Sequence, residues 1–187
     1  MRNIAIGALI AAMAAGAAAA ASEQHSPYAG FERRDIKALS PEEVAGLLAG
    51  EGLGFSLVAE LNGFPGPRHV LDLADKLGLD PAQRTRASAI EAEMKTAAIR
   101  IGGDVVALEA ELDRFFREGA AEASAIQRLS SQIGDKRSAL RAVHLQAHLA
   151  MAQVLKPEQR TQYMTLRGYG SDSPAPAHDP AAQKHGH

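Results

Sequence analysis

Residues 81–117 read PAQRTRASAIEAEMKTAAIRIGGDVVALEAELDRFFR, and this stretch decides the fold. Ile90, Met94, Ala97, Ile101, Val105 (or Val106), Leu108, Leu112 and Phe115 recur at every third or fourth position. That spacing is one face of an α-helix. At about 1.5 Å per residue the stretch makes a single helix of about 55 Å. Pro81 opens it, because the N–H that proline lacks would be unpaired at the first helical position. Asp80 is a good N-cap, and Gly119 suits the stop. Gly102-Gly103 falls in the middle, where a kink is expected. A second long helix starts near Glu122. Its apolar positions Ile126, Ile133, Leu140, Ala147 and Val154 recur every seven residues, flanked by Leu129, Val143 and Ala150. Two long helices joined by about four residues must lie antiparallel. The fold class is therefore all-α, a long antiparallel helical hairpin. The seven-residue stripe asks for a partner surface, so a homodimer is expected. Lys136 breaks the stripe and marks a solvated or partner-facing stretch.

One motif recurs along the chain. Leu39-Ser40-Pro41-Glu42-Glu43, Leu79-Asp80-Pro81-Ala82-Gln83 and Leu155-Lys156-Pro157-Glu158-Gln159 each bring in an apolar anchor, a capping position and a proline. Each marks a helix start or a kink. Ser40 and Asp80 are good caps, whereas Lys156 is a poor one. Between the first two, Gly46, Gly50, Gly52 and Gly54 interrupt the first helix. Asn62-Gly63 ends a short one, and Pro65-Gly66-Pro67 begins another that is expected to run to about Leu77, with Gly78 as its stop. Short N-terminal helices thus precede the hairpin in a domain spanning 39–170. Residues 22–38 read as a flexible polar segment. Residues 171–187 hold Pro, Ala and His without an apolar period and read as a disordered, His-containing tail.

The first 21 residues carry one arginine, an apolar run and small residues before a polar start, the pattern of a cleaved signal peptide. The protein is expected to be exported; it would touch a membrane only if that segment stayed on as an anchor. Of the 187 residues, 46% are hydrophobic but only 4% aromatic, which favours helix over sheet. The absence of cysteine rules out disulfides, thiolate metal sites and a cysteine nucleophile. A formal charge of −2 argues against nucleic acid as a partner.

No nucleophile elbow, P-loop, H-E-x-x-H or dinucleotide fingerprint occurs, so an enzyme is not expected. Two other features stand out. His144 and His148 are four apart on the second long helix, with Met151 on the same side. Two imidazoles and a thioether suit a transition metal such as Zn, Cu, Ni or Co. Two side chains do not complete a site, so His69, Glu60 or a symmetry partner would have to add to it. The same pair also reads as two histidines bonded to a neighbouring arm, with Met151 as core filler. The second feature is charge. Residues 119–170 hold 7 basic and 3 acidic side chains, against 11 basic and 17 acidic in 23–118. Arg128, Lys136, Arg137 and Arg141 form either a client-attracting basic face or one half of a set of pairs with the acidic arm.

The two L-x-P-x-Q repeats, Leu79-Pro81-Gln83 and Leu155-Pro157-Gln159 with their intervening residues, resemble the paired L-T-x-x-Q motifs of the Spy/CpxP family of periplasmic proteins. The segment from Ala59 to Pro67, the run His144 to Met151 and the ending Leu166 to Tyr169 are similar to heavy-metal-resistance and sensor members, the ZraP-like and CnrX-like branch. Asp80 and Lys156 stand where the motif has Thr. The resemblance covers roughly residues 28–169. It implies an all-helical hairpin that dimerises into a curved cradle in the periplasm. It also implies ATP-independent chaperoning of unfolded envelope proteins, transition-metal binding, or both. The alternative is a regulatory adaptor that docks on a sensor-kinase ectodomain and needs neither metal nor client.

Overall fold

A computed structural model describes residues 26–169. The expected signal peptide (1–21), residues 22–25 of the polar segment and the expected tail (171–187) lie outside the described residues. Among the described residues there is no strand. A 3-10 turn at Phe31–Arg33 precedes α1 (Pro41–Ala49), α2 (Leu57–Glu60), α3 (Pro67–Asp72), α4 (Pro81–Arg117), α5 (Ala123–Val154) and α6 (Pro157–Leu166). α4 and α5 pack antiparallel as the hairpin, while α1 and α3 lie against α4.

All three proline-led motifs open helices. Ser40 Oγ accepts the Glu43 N–H at 3.1 Å, and the Glu43 carboxylate accepts the Ser40 N–H at 2.7 Å. This reciprocal capping box satisfies two donors that a helix start leaves unpaired. Asp80 and Gln83 repeat it at α4, at 2.8 and 3.1 Å. At α6 only half forms: Gln159 Oε1 accepts the Lys156 N–H at 2.9 Å. The lysine ammonium is a donor only and cannot return the bond.

Two local expectations change. The helix from Pro67 ends at Asp72, not near Leu77. A turn through Gly78, at φ +59°, then swings Leu77 and Leu79 into the core. α4 also continues unbroken through Gly102-Gly103. Gly102 allows a close approach there. A Cβ on Gly102 would overlap the carbonyl oxygen of Leu47, so α1 lies backbone against backbone on α4 there. Gly103 faces open space.

The core has two parts. Ile36, Leu39, Leu47, Ala98, Ile101, Val105 and Leu140 pack α1 onto the middle of the hairpin. Val70, Ala74, Leu77, Leu79, Ala87, Met151, Leu155 and Tyr163 join α3 and α6 to its base. Ile36 belongs to the stretch read as flexible; there, the Lys37 N–H donates to Asp113 Oδ1 at 3.1 Å and ties that stretch to the far end of α4. Of the seven-residue stripe, Ile133, Leu140 and Ala147 are buried and Ile126 and Val154 are partly buried. The partner of Lys136, where the stripe breaks, is Asp104 on α4 at 2.7 Å.

Candidate functional site

His144 and His148 occupy the part of α5 between the two core clusters. Helical angle alone puts His144 at the edge of the apolar stripe and His148 further round, yet both are buried, at 2% and 6% exposure. The cause is tertiary: the glycine-punctuated segment from Gly50 to Gly66 folds over this part of α5. Phe55 stacks on the His144 ring, with centroids 6.5 Å apart and planes 10° from parallel. Gly66 sits against His148, where a Cβ would come within 3.0 Å of Cε1 and 3.1 Å of Nε2.

The two imidazoles differ in their bonding. His148 Nδ1 lies 2.7 Å from the carbonyl oxygen of Phe64. A carbonyl only accepts, so Nδ1 carries the proton, and in the neutral ring Nε2 carries the lone pair. His144 Nε2 is buried with no hydrogen-bond partner among the described residues. Burial, then repulsion from His148, hold the His144 pKa below the usual imidazole value. A buried polar atom left unpaired costs about 1–3 kcal/mol unless something else satisfies it.

Glu60, expected as a possible ligand, has other work. It is buried, and its Oε1 accepts the Tyr163 hydroxyl at 2.6 Å and Arg167 Nε at 3.3 Å. Its Oε2 accepts the Gly66 N–H at 3.1 Å. His148 Nδ1, 3.8 Å from Oε2, is too far for a hydrogen bond. Both carboxylate oxygens are thus engaged in tying α2 to α6 and to the start of α3. Burial, and then this bond, push the Tyr163 phenol far above its usual pKa.

A cleft of about 660 Å³ opens beside the histidines. His144 and His148 form its floor on α5, Met94 and Lys95 line it from α4, and Leu53, Leu57 and His69 line it from the covering segment and α3. His69 is only partly exposed, and its Nδ1 lies 3.8 Å from Asp72 Oδ2. Met151 is not in this cleft. It is fully buried in the basal core with Val70, Leu77 and Tyr163, so it does not share a cavity with the histidines. Among the described residues no three His, Asp or Glu side chains gather in a group able to hold a metal ion. Met94 was legible only as one position of the α4 apolar stripe; the register of the hairpin brings it to the cleft.

The basic arm pairs largely within the hairpin. Arg128 meets Glu111 at 3.3 Å, Lys136 meets Asp104 at 2.7 Å and Arg137 meets Glu109 at 3.9 Å. The hydrogen bond from Lys136 holds the Asp104 carboxyl below its usual range. Arg141 is exposed. The motif glutamines come together at the base. Gln83 Nε2 donates to Gln159 Oε1 at 2.8 Å, and Gln159 Nε2 donates back to Gln83 Oε1 at 3.1 Å. Leu79 and Leu155 are buried beside them, and Pro81 and Pro157 open the helices that carry them.

A helical hairpin closed by paired, proline-led helix starts with a glutamine at the third helical position defines the class. Residues 67–167 match the model of the LTXXQ motif family, and the chain belongs to that family, which is of the Spy/CpxP type, periplasmic and non-enzymatic. No curated protein and no solved structure matches the chain. Among the described residues no helix is long and apolar enough to cross a membrane.

Proposed function

We propose that the protein is an exported, non-catalytic periplasmic stress protein that binds a transition-metal ion at His144 and His148. The observation that carries this reading is the unpartnered, buried Nε2 of His144 beside a His148 ring whose Phe64 contact leaves its own Nε2 basic. Outer-shell bonds of this kind orient metal-ligating histidines. The cradle supports it too: a Cβ at Gly66 would crowd His148 Nε2, and glycine leaves that space open. The residues that would hold the ion are His144 and His148, with neutral imidazoles as donors. The test is isothermal titration of the full chain carrying His178→Gln, His185→Gln and His187→Gln, so that the tail cannot contribute, with Zn, Cu, Ni and Co. Binding should be lost in the further variant His144→Gln/His148→Gln. Equal binding without the pair would refute the site.

A second reading, client holding, is favoured by one observation. Leu57, Val58 and Leu61 on and beside α2 are each more than half exposed, and Phe64 is partly so. Exposed apolar patches of this kind serve interaction. The protein should suppress aggregation of a reduced or heated client without ATP, and Leu57→Ser/Leu61→Ser should weaken this. The hairpin is also proposed to dimerise, since a thin two-arm domain has little area to bury internally. Sedimentation giving a stable monomer at low micromolar concentration would rule that out.

A further inference from the structure

We propose that the ion held in this cleft is Cu(I), bound by Nε2 of His144, Nε2 of His148 and Sδ of Met94. The inference rests on the metal-binding reading above and goes beyond it by naming the ion and a third donor from the opposite arm. Three observations carry it.

The first is the donor set. His144 and His148 line the cleft from α5, and Met94, half-buried, lines the same cleft from α4. A thioether is a soft donor that selects soft ions, above all Cu(I), while carboxylates and carbonyls suit hard ones. The second is the number of donors. Closed zinc sites take four protein ligands, and open ones take three from His, Cys, Asp or Glu beside a water; Ni(II) suits nitrogen and oxygen donors. Here Glu60 has both oxygens committed to Tyr163, Arg167 and Gly66. No group of three His, Asp or Glu side chains gathers among the described residues. A filled-shell monovalent ion that is content with two or three donors matches what is present. The third is the wall. Phe55 stacked on His144, with Leu53 and Leu57 lining the cleft, gives the ion apolar neighbours on the covering side. Apolar neighbours lower the local dielectric around the ion and favour the lower charge state.

The experiment is competition against a chromophoric Cu(I) chelator, under reducing, oxygen-free conditions. It uses the full chain carrying His178→Gln, His185→Gln and His187→Gln, with parallel competition for Zn(II), Ni(II) and Co(II). One Cu(I) should be withdrawn per chain, and the copper X-ray absorption edge should show nitrogen and sulfur scatterers. Met94→Leu keeps the side-chain volume. It should weaken Cu(I) by at least the ~10- to 100-fold that outer-shell changes already cost, and the sulfur scatterer should vanish. Gly66→Ala should weaken Cu(I) as well, by crowding His148 Nε2. Thermal melts of both metal-free variants check that the fold is kept. If Zn(II), Ni(II) or Co(II) is held as tightly as Cu(I), or Met94→Leu changes neither affinity nor absorption edge, the Cu(I) assignment is overturned while the histidine site stands. If no ion binds, the metal reading itself falls, and this inference with it.

Discussion

Gln83 and Gln159, 76 positions apart, bond each other side chain to side chain in both directions. Each amide oxygen also accepts the backbone N–H of its own helix cap, from Asp80 at 3.1 Å and Lys156 at 2.9 Å. Each amide nitrogen also donates to a backbone carbonyl: Gln83 to Val154 at 2.9 Å and Gln159 to Leu77 at 3.1 Å. Both side chains are buried and every donor and acceptor site on them is used. The motif glutamine is therefore a two-way fastener. It caps its own helix and clamps the two ends of the hairpin together.

Removing either amide leaves its partner short of bonds in a buried place. Gln83→Ala and Gln159→Ala should each cost about 1–3 kcal/mol or more in denaturant unfolding. The double variant should cost less than the sum, with a coupling of about 0.5–3 kcal/mol. Additive losses would show that the two amides do not act as a unit.

The adjacent glycines of α4 should respond in opposite directions. Gly102→Ala meets the Leu47 carbonyl and must push α1 away, so a clear drop in Tm is expected. Gly103→Ala meets nothing within 4 Å in a helix interior and should stabilise by roughly 0.5–1 kcal/mol. Two melting curves settle the matter; equal shifts would mean that α1 does not lie on Gly102 in solution.

The buried His144 makes stability depend on pH. Its folded pKa is lowered by burial and then by His148. Between that value and the unfolded value near ~6.5, the unfolded chain binds more protons, so stability rises with pH. The contribution is whole above about pH 6.5 and is lost as pH falls through the folded pKa. His144→Leu should flatten the fall in Tm between about pH 7 and pH 5. Glu109, whose pKa burial raises, acts in the opposite sense but is common to both proteins and cancels in the comparison. Parallel Tm profiles would deny the coupling. The charged or titratable groups that line the cleft with His144 are His148, His69, Glu51, Glu60, Glu91, Lys95, Arg68, Arg167 and Tyr169.

Tyr163→Phe tests the tie between α2 and α6. It deletes a hydroxyl that donates to the Glu60 carboxylate at 2.6 Å and keeps the ring in the core. Hydrogen bonds to charged groups are worth about 1.5–3 kcal/mol, and a loss of that size is expected in chemical unfolding. A change below about 0.5 kcal/mol would mean that Arg167 and the Gly66 N–H satisfy Glu60 without it.

The sequence by itself determined the hairpin and where its helices begin. Threes-and-fours spacing in α4, the sevens of α5 and the capping chemistry of Ser40, Asp80 and their prolines are local properties, carried by residues within about two turns of each other. Tertiary structure decided the site. Helical phase puts His144, His148 and Met151 on one side of α5, but what lies over that side changes along it. α3 and α6 close over Met151 and make it core, while the segment from Gly50 to Gly66 arches over the histidines and leaves a cleft. The register of the two arms then brings Met94 to that cleft and sets Asp104, Glu109 and Glu111 against the basic residues of α5. No local pattern encodes those meetings, because burial and bonding depend on which distant segment covers a face and not on the face alone.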